Sequence, residues 1–208
     1  MPIREHFSKN NLKFVQYIKT TNTASGLYRI NFGIQFAYGM GFGLKVNGCV
    51  GILSGGGWCA LAGTYYSSKR AMFFVAPQGN TKQGTVNTDW NNSVYNNSTA
   101  YNCYTGMHTI EYKRISNSIT GHYFDNNLIR QLTNFTPDDN DGSKIRFMPH
   151  AERIETELMG FWIYDSSGTK ILDAVPASCS GVGCMYDVIN NDLYFNELSG
   201  TFIIGPEL

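Results

Sequence analysis

The chain is short of charge. Lys, Arg, Asp and Glu make up 15% of its 208 residues, against the ~25% of ordinary soluble domains, and 16 cations balance 16 anions. A net charge of zero supplies no field to steer the chain to phosphate or to an anionic membrane. Basic runs stop at two residues, as at Lys69-Arg70 and Lys113-Arg114, so no nucleic-acid partner is expected. Long apolar runs are also missing. The longest, AMFFVA at 71–76, is far below the ~20 residues of a membrane helix, and no membrane insertion is expected. Met1 to Phe14, MPIREHFSKNNLKF, has no apolar stretch of the kind an export signal needs. The cysteines are Cys49, Cys59, Cys103, Cys179 and Cys184. Their odd number and their spacing fit free thiols acting as small apolar side chains better than a disulfide framework or a zinc site. Helical periodicity is scarce, and its best candidate, PHAERIETELMG near residue 150, fits a strand as well over 154–163.

Catalytic signatures are absent in the same way. His6, His108, His122 and His150 enter no HExxH pattern, and there is no G-x-S-x-G elbow. The glycines of GMGFG and GGG form neither a dinucleotide fingerprint nor a phosphate loop, and they read as bends in sheets. Asp138-Asp139-Asn140-Asp141-Gly142 looks like a calcium loop until it is aligned. With Gly142 in sixth place, Pro137 and Met148 would stand first and twelfth, where acids are needed. No metal and no cofactor is expected. Glu155 and Glu157 alternate on one side of a possible strand, and β-sandwich glycosidases use such carboxylates. The glucanase pattern E-x-D-x-x-E would require Asp at 157 and Glu at 160, where Glu157 and Gly160 stand. A solvated strand face is the simpler account, with a glycan hydrolase as the third-ranked reading.

What is plentiful is aromatic side chains at 14%, 22 glycines and 20 asparagines. Strand signals recur about every ten residues with turn chemistry between them, which indicates an all-β sandwich or barrel. Leu44-Lys45-Val46 meets Asn47-Gly48, a hairpin signal that predicts a return strand over Cys49 to Leu53. Ala71 to Ala76 reads as a strand covered on both faces. His108 to Arg114 alternates with Ile110 and Tyr112 on one face. His122 to Phe124 and Leu128 to Arg130 flank a tight turn at Asp125-Asn126-Asn127. Phe161 to Tyr164 turns at Asp165 to Gly168 and returns as Lys170 to Ala174. No linker divides the chain, so a single domain over 1–208 is expected, with 1–12 as an attachment arm. The segment 77–104, rich in Asn, Ser and Thr with interleaved aromatics, reads as a long surface excursion or a pair of frayed strands. Long ordered loops on a β scaffold tend to carry contacts. Trp90, Tyr95 and Tyr101 in it are the candidate ligand or partner contacts, through sugar stacking or as protein anchors; the alternative is that they pack the segment on its own sandwich.

The end of the chain carries a distinctive run. Phe161-Trp162-Ile163-Tyr164, Val175-Pro176, Gly183 with Met185-Tyr186-Asp187, Tyr194-x-Asn196 and Gly200-Thr201-Phe202 up to Gly205 resemble the closing segment of concanavalin A-like (LamG-like) jelly-roll domains in structural proteins of tailed bacteriophages. Phe14 to Ile18, Thr20-Thr21 and Phe32-Gly33-Ile34 resemble the opening of the same family, and the His122 to Ile129 hairpin resembles its central one. Cys184 between Gly183 and Met185, Ala24-Ser25-Gly26 near the start, and Asn126-Asn127 in the central turn depart from the pattern. The resemblance implies an antiparallel two-sheet jelly-roll sandwich. It also implies a noncatalytic virion component, a head or tail fibre protein assembled in the host cytoplasm. Such proteins form homo-oligomers, dimers or trimers, and dock to other virion proteins. The alternative is a carbohydrate-binding module for host surface glycans, acting through Trp90 and its neighbours. Within the closing run, Gly183, Tyr186, Asp187, Tyr194, Asn196, Gly200 and Phe202 are expected to define the fold. Tyr186, Tyr194 and Phe202 would point into the sandwich, Asp187, Asn190 and Asn191 would fix turns, and Gly200 and Gly205 would make bends that a side chain would obstruct.

Overall fold

A computed structural model describes residues 11–21, 27–51, 59–64, 70–76, 83–90, 93–95, 100–133, 144–149 and 154–208. The acidic run 138–142, His6, His150 and most of the proposed arm lie outside them. The strands in chain order are β1 (Leu12–Phe14), β2 (Ile18–Thr20), β3 (Ile30–Gln35), β4 (Gly41–Gly51), β5 (Cys59–Gly63), β6 (Ala71–Val75), β7 (Val86–Trp90), β8 (Ser93–Tyr95) and β9 (Met107–Arg114). The rest are β10 (Ile119–Phe124), β11 (Asn127–Thr133), β12 (Lys144–Phe147), β13 (Ile154–Tyr164), β14 (Lys170–Cys179), β15 (Val182–Asp187), β16 (Asp192–Tyr194) and β17 (Ile203–Ile204).

Two antiparallel sheets pack face to face, and the jelly-roll sandwich expected from the sequence is the fold observed. The large sheet runs β11-β10-β9-β4-β13-β14-β15-β16, and the small sheet runs β3-β12-β5-β6-β7-β8. The large sheet forks at β13. Its end pairs with β14 through Phe161 to Tyr164, whereas its first half pairs with β2 through Thr156 to Leu158. The strand β17 then adds to β2, and β1 adds to β14.

Alternation along the strands sorts side chains between core and solvent. On β13, Ile154, Leu158, Phe161 and Ile163 are fully buried, while Glu155, Glu157 and Trp162 between them face outward. Aromatic rings tie the two sheets together. Phe32 stacks on Phe161 at 4.2 Å, Phe73 stacks on Tyr112 at 4.2 Å, and Trp90 lies 4.6 Å from Tyr112. Ring pairs at such separations add to the stabilisation from burial alone. The strand β6 lies between β5 and β7 and is largely buried, as its continuous apolar run predicts. The Asp125-Asn126 turn is the tight one expected, with φ of 49° and 64° and Phe124 paired to Asn127. Positive φ at both central residues is the two-residue hairpin geometry that Asp and Asn tolerate. All five cysteines are free and buried.

Three expectations need correction. Asn47-Gly48 is not a hairpin turn. The strand β4 runs through it for 11 residues, flanked by β9 and β13. The left-handed Gly48 (φ 59°) instead makes a bulge, where pairing to β13 skips from Cys49 to Asn47. The segment 77–104 is not simply a surface excursion. Residues 86–90 form β7, buried along its whole length inside the small sheet. Two of its three polar residues meet partners distant in sequence: Thr88 meets His122, and Asp89 pairs with Arg70 at 2.9 Å. Tyr186 does not point into the sandwich. On β15 that side belongs to Met185 and the buried Asp187, so alternation turns Tyr186 to the opposite face, against Phe14.

Candidate functional site

Trp90 sits in the core at 1% exposure, its indole Nε1 donating to the Thr133 carbonyl at 2.7 Å. It cannot stack on a ligand, which overturns its assignment as a contact residue. Tyr101 packs against the core with its ring 5.9 Å from Phe124. Tyr95, at the end of β8, pairs through its backbone with Thr88 of β7. The structure therefore does not gather Trp90 and Tyr101 into an exposed aromatic surface.

The residues of the closing run serve the fold. Asp187 is fully buried, and its carboxylate accepts the backbone N–H of Asp173 and of Ile189, both at 3.0 Å, and the Asn190 amide at 2.5 Å. Asn190 also donates to the Ile171 carbonyl, and Asn191 Oδ1 accepts from the Tyr186 hydroxyl. Asn196 Oδ1 accepts the Arg29 N–H at 2.8 Å, and its amide donates to the carbonyls of Leu27 and Gly200 at 2.6 Å. Phe202 stacks on Tyr28, and Tyr194 meets Phe32 edge-on. A side chain at Gly183 would press on Phe202, and one at Gly200 would lie 2.5 Å from the Leu27 carbonyl oxygen.

The chemistry that faces solvent lies on the outer face of the large sheet, at two stations along β13. At the first, a hollow of about 240 Å³ is lined by Lys19, Asn47, Gly48, Val50, Tyr104, Glu155, Thr156 and Glu157. The Lys19 ammonium lies 3.0 Å from Glu155 and 4.0 Å from Glu157. Its hydrogen bond to Glu155, followed by the charges of both carboxylates, outweighs burial and holds Lys19 above the ordinary lysine range. The Asn47 amide donates to Glu157 Oε2 at 2.7 Å. The β4 bulge is what places this station. Gly48 N–H donates to the Gly106 carbonyl and Cys49 N–H to the Cys103 carbonyl, which docks the loop before β9 onto β4. Asn102 holds the loop in shape, its Oδ1 accepting the Tyr104 N–H at 2.7 Å and its amide donating to the Gln83 carbonyl. Tyr104 is thereby fixed at the rim with 41% of its surface exposed.

At the second station Trp162 lies across Gly43, where a β-carbon would come within 2.6 Å of the indole. Its Nε1 donates to Glu111 Oε2 at 3.1 Å. The Lys170 ammonium stands 5.7 Å from the Trp162 ring centre, and the Lys113 ammonium 5.9 Å from that of Tyr164, distances at which cation–π attraction operates. Burial, together with the Glu111 and Asp173 charges, pushes the Tyr164 phenol up to about 12. Among the described residues, no group of three or more His, Cys, Asp or Glu side chains is placed to hold a metal ion.

Sequence reasoning found Glu155 and Glu157 but neither station. The pairing of Trp162 with Tyr164 on one face was open to a period-two reading of Phe161 to Tyr164. Lys19, Asn47 and Tyr104 come from three separate segments, and no local pattern links them.

No family model matches the chain, and no curated protein is similar to it in sequence. Among solved structures, it is similar to a native glycosidic hydrolase at 12% identity and TM-score 0.44, over 76% of this chain and 96% of that one. It is similar also to sheep galectin-11 in complex with glycerol, at 10% identity and TM-score 0.34, over 68% of this chain and 99% of that one. Likeness at this level carries no argument about ligand or chemistry.

Proposed function

We propose that the chain is a noncatalytic display and docking protein of a bacteriophage particle, a head or tail fibre component that joins copies of itself and other virion proteins. The placement on a virion rests on the resemblance of its closing, opening and central segments. The docking activity rests on one observation, an apolar hollow of about 290 Å³ where the large sheet forks. It is lined by Phe14, Val15, Gln16, Met159, Val175, Pro176 and Leu208, with Phe14 44% and Leu208 84% exposed. Exposed apolar surface gathered around a hollow favours a protein partner. A second copy is the partner expected, since the resembling domains assemble as symmetric oligomers. The noncatalytic reading is supported by Lys19, which engages both Glu155 and Glu157. Glycoside hydrolysis instead sets its two carboxyl groups across a scissile bond. A carbohydrate-binding module anchored on Trp90 loses its anchor, because the indole is in the core.

Light scattering on the purified chain tests the proposal. The expected result is a dimer or trimer at micromolar concentration, shifted to monomer by Phe14→Glu. A monomeric wild type, or an oligomer indifferent to Phe14→Glu, refutes the docking surface.

A further inference from the structure

The first station on the outer face holds more convergent chemistry than a solvated strand needs. Two carboxylates, one ammonium, one amide and one exposed phenol ring surround a single hollow of about 240 Å³. We infer that this hollow binds one unit of a neutral saccharide, with Tyr104 flanking the ring and Lys19, Asn47, Glu155 and Glu157 hydrogen-bonding its hydroxyls. The inference rests on the noncatalytic reading of the Glu155–Glu157 pair and is independent of the oligomer surface.

Size comes first. Pockets for drug-sized ligands start near ~300 Å³, so this hollow admits one ring. Charge comes next. A phosphate or carboxylate ligand would meet two carboxylates against one ammonium and be repelled. A cationic ligand would find the position between the carboxylates already filled by Lys19, 3.0 Å from Glu155. An apolar ligand would strip water from five polar groups and leave them without replacement partners, which is costly. A ring bearing adjacent hydroxyls avoids all three penalties, because each hydroxyl both donates and accepts. Glu157 has contacts at 4.0 Å to Lys19 and 2.7 Å to Asn47, and these do not exhaust a carboxylate's roughly four acceptor directions.

The groups around the hollow are held in place before any ligand arrives. Lys19 is held by β2 pairing with β13, and Asn47 by the bulge that the left-handed Gly48 makes. Tyr104 stands on a loop clamped at Asn102, at Cys103 and at Gly106. The Cys103 thiol is itself buried and donates to the Gly84 carbonyl at 3.3 Å. A ligand therefore meets polar groups and a ring already in place, and little ordering entropy opposes binding.

The test presents the whole 208-residue chain to an array of neutral, sialylated and amino-sugar oligosaccharides. Calorimetric titration then follows with the neutral chain that gives the strongest signal. Binding to neutral chains is expected, weakened about tenfold or more by Tyr104→Ala and by Glu157→Gln. It should be unchanged by Leu128→Ala, on the far edge of the large sheet. Backbone amide shifts in the wild type give a readout that needs no variant, and they should cluster at 47–49, 104–106 and 155–157. Absence of binding to every neutral chain, preference for charged sugars, equal affinity in the variants, or shifts centred elsewhere would each overturn the inference. Shortening of the bound chain by the wild type, lost in Glu157→Gln, would overturn the noncatalytic reading while locating the sugar at this hollow.

Discussion

Lowering the pH from 7 to 4 should cost the protein about 3 kcal/mol through one side chain, His122. Its ring lies in the sandwich interior against Phe73 and Tyr112, with Nδ1 3.3 Å from the Thr88 hydroxyl and no hydrogen-bond partner at Nε2. Burial, assisted by the Arg130 charge, drives its pKa from the ordinary 6.5 down to about 3. The unfolded chain binds this proton below pH 6.5 and the folded chain refuses it until about pH 3. Stability is therefore complete above 6.5 and falls by about 1.4 kcal/mol per pH unit between those limits. Two carboxylates contribute around the lower end. Asp89, raised by burial against the opposing effect of Arg70, gains stability as pH falls through its folded value towards the ordinary carboxylate range. Asp165 is lowered by its Ser167 hydrogen bond and then by backbone N–H groups, and it loses stability as pH falls below the ordinary carboxylate range. Both are common to the wild type and to His122→Gln, which keeps a polar partner for Thr88 but cannot titrate. Urea unfolding of the two proteins at pH 7, 6, 5 and 4 isolates the imidazole. The variant should start less stable at pH 7 and lose stability more slowly by about one proton's slope. Parallel curves from pH 7 to 4, or an imidazole resonance titrating near 6.5 in the folded protein, would refute the reasoning.

Asp187→Ala should destabilise the protein by about 2 kcal/mol or more, since it leaves the part-buried N–H groups of Asp173 and Ile189 and the Asn190 amide without their shared acceptor; urea midpoints read this, and a loss under about 1 kcal/mol would contradict it. Gly200→Ala forces a β-carbon to 2.5 Å from a backbone oxygen, and should cost about 2 kcal/mol or more, whereas Gly168→Ala, with open space but φ of 86°, should cost about 1 kcal/mol from backbone strain alone. Phe161→Ala removes a ring that stacks on Phe32 and lies parallel to Phe42, and should lower stability by about 3–5 kcal/mol. The five thiols should resist a thiol reagent at neutral pH until urea unfolds the chain, because all are buried and burial pushes Cys184 up to about 12; rapid labelling of the native protein would place one of them at the surface.

The strands that alternate cleanly were legible. Ile110 and Tyr112 on β9, and Phe161 and Ile163 on β13, are buried where period two puts them. Reading failed where burial is polar. Val86–Trp90 carries Asn87, Thr88 and Asp89, a composition typical of loops, yet every residue of it is buried. The partners that make this tolerable, His122 on β10 and Arg70 before β6, lie 34 and 19 positions away, and composition in a window cannot register them. Asn47-Gly48 failed for a related reason. The dipeptide permits positive φ, but whether that becomes a turn or a bulge depends on neighbours. With β13 pairing to Cys49, Val50 and Gly51 beyond the bulge, continuing the strand keeps a ladder of hydrogen bonds that a hairpin would abandon.

The split between what was legible and what was not has a physical basis in where the hydrogen bonds go. Asn196 exchanges bonds with Leu27, Arg29, Leu198 and Gly200, and Asp187 with Asp173, Ile189 and Asn190. Each such residue satisfies several backbone groups at once, so residue type and spacing are fixed together, and a motif results. The outer face obeys no such constraint. Lys19, Asn47 and Glu157 are brought together by the register of β2, β4 and β13, and Tyr104 by the docking of its loop on β4, so no single segment carries a pattern of the site. A slip of one residue on β2 would turn Lys19 inward and leave Glu155 and Glu157 without their shared cation. Register on this strand is held by Ile18 in the core and by the Thr20 hydroxyl donating to the Ile154 carbonyl at 2.6 Å. Thr20→Val removes that bond, and the one its hydroxyl accepts from the Thr156 N–H, while keeping the shape, so it should weaken saccharide binding at the hollow without replacing any side chain that lines it. Retention of full affinity in a Thr20→Val protein of reduced stability would show that the site does not depend on the register of β2.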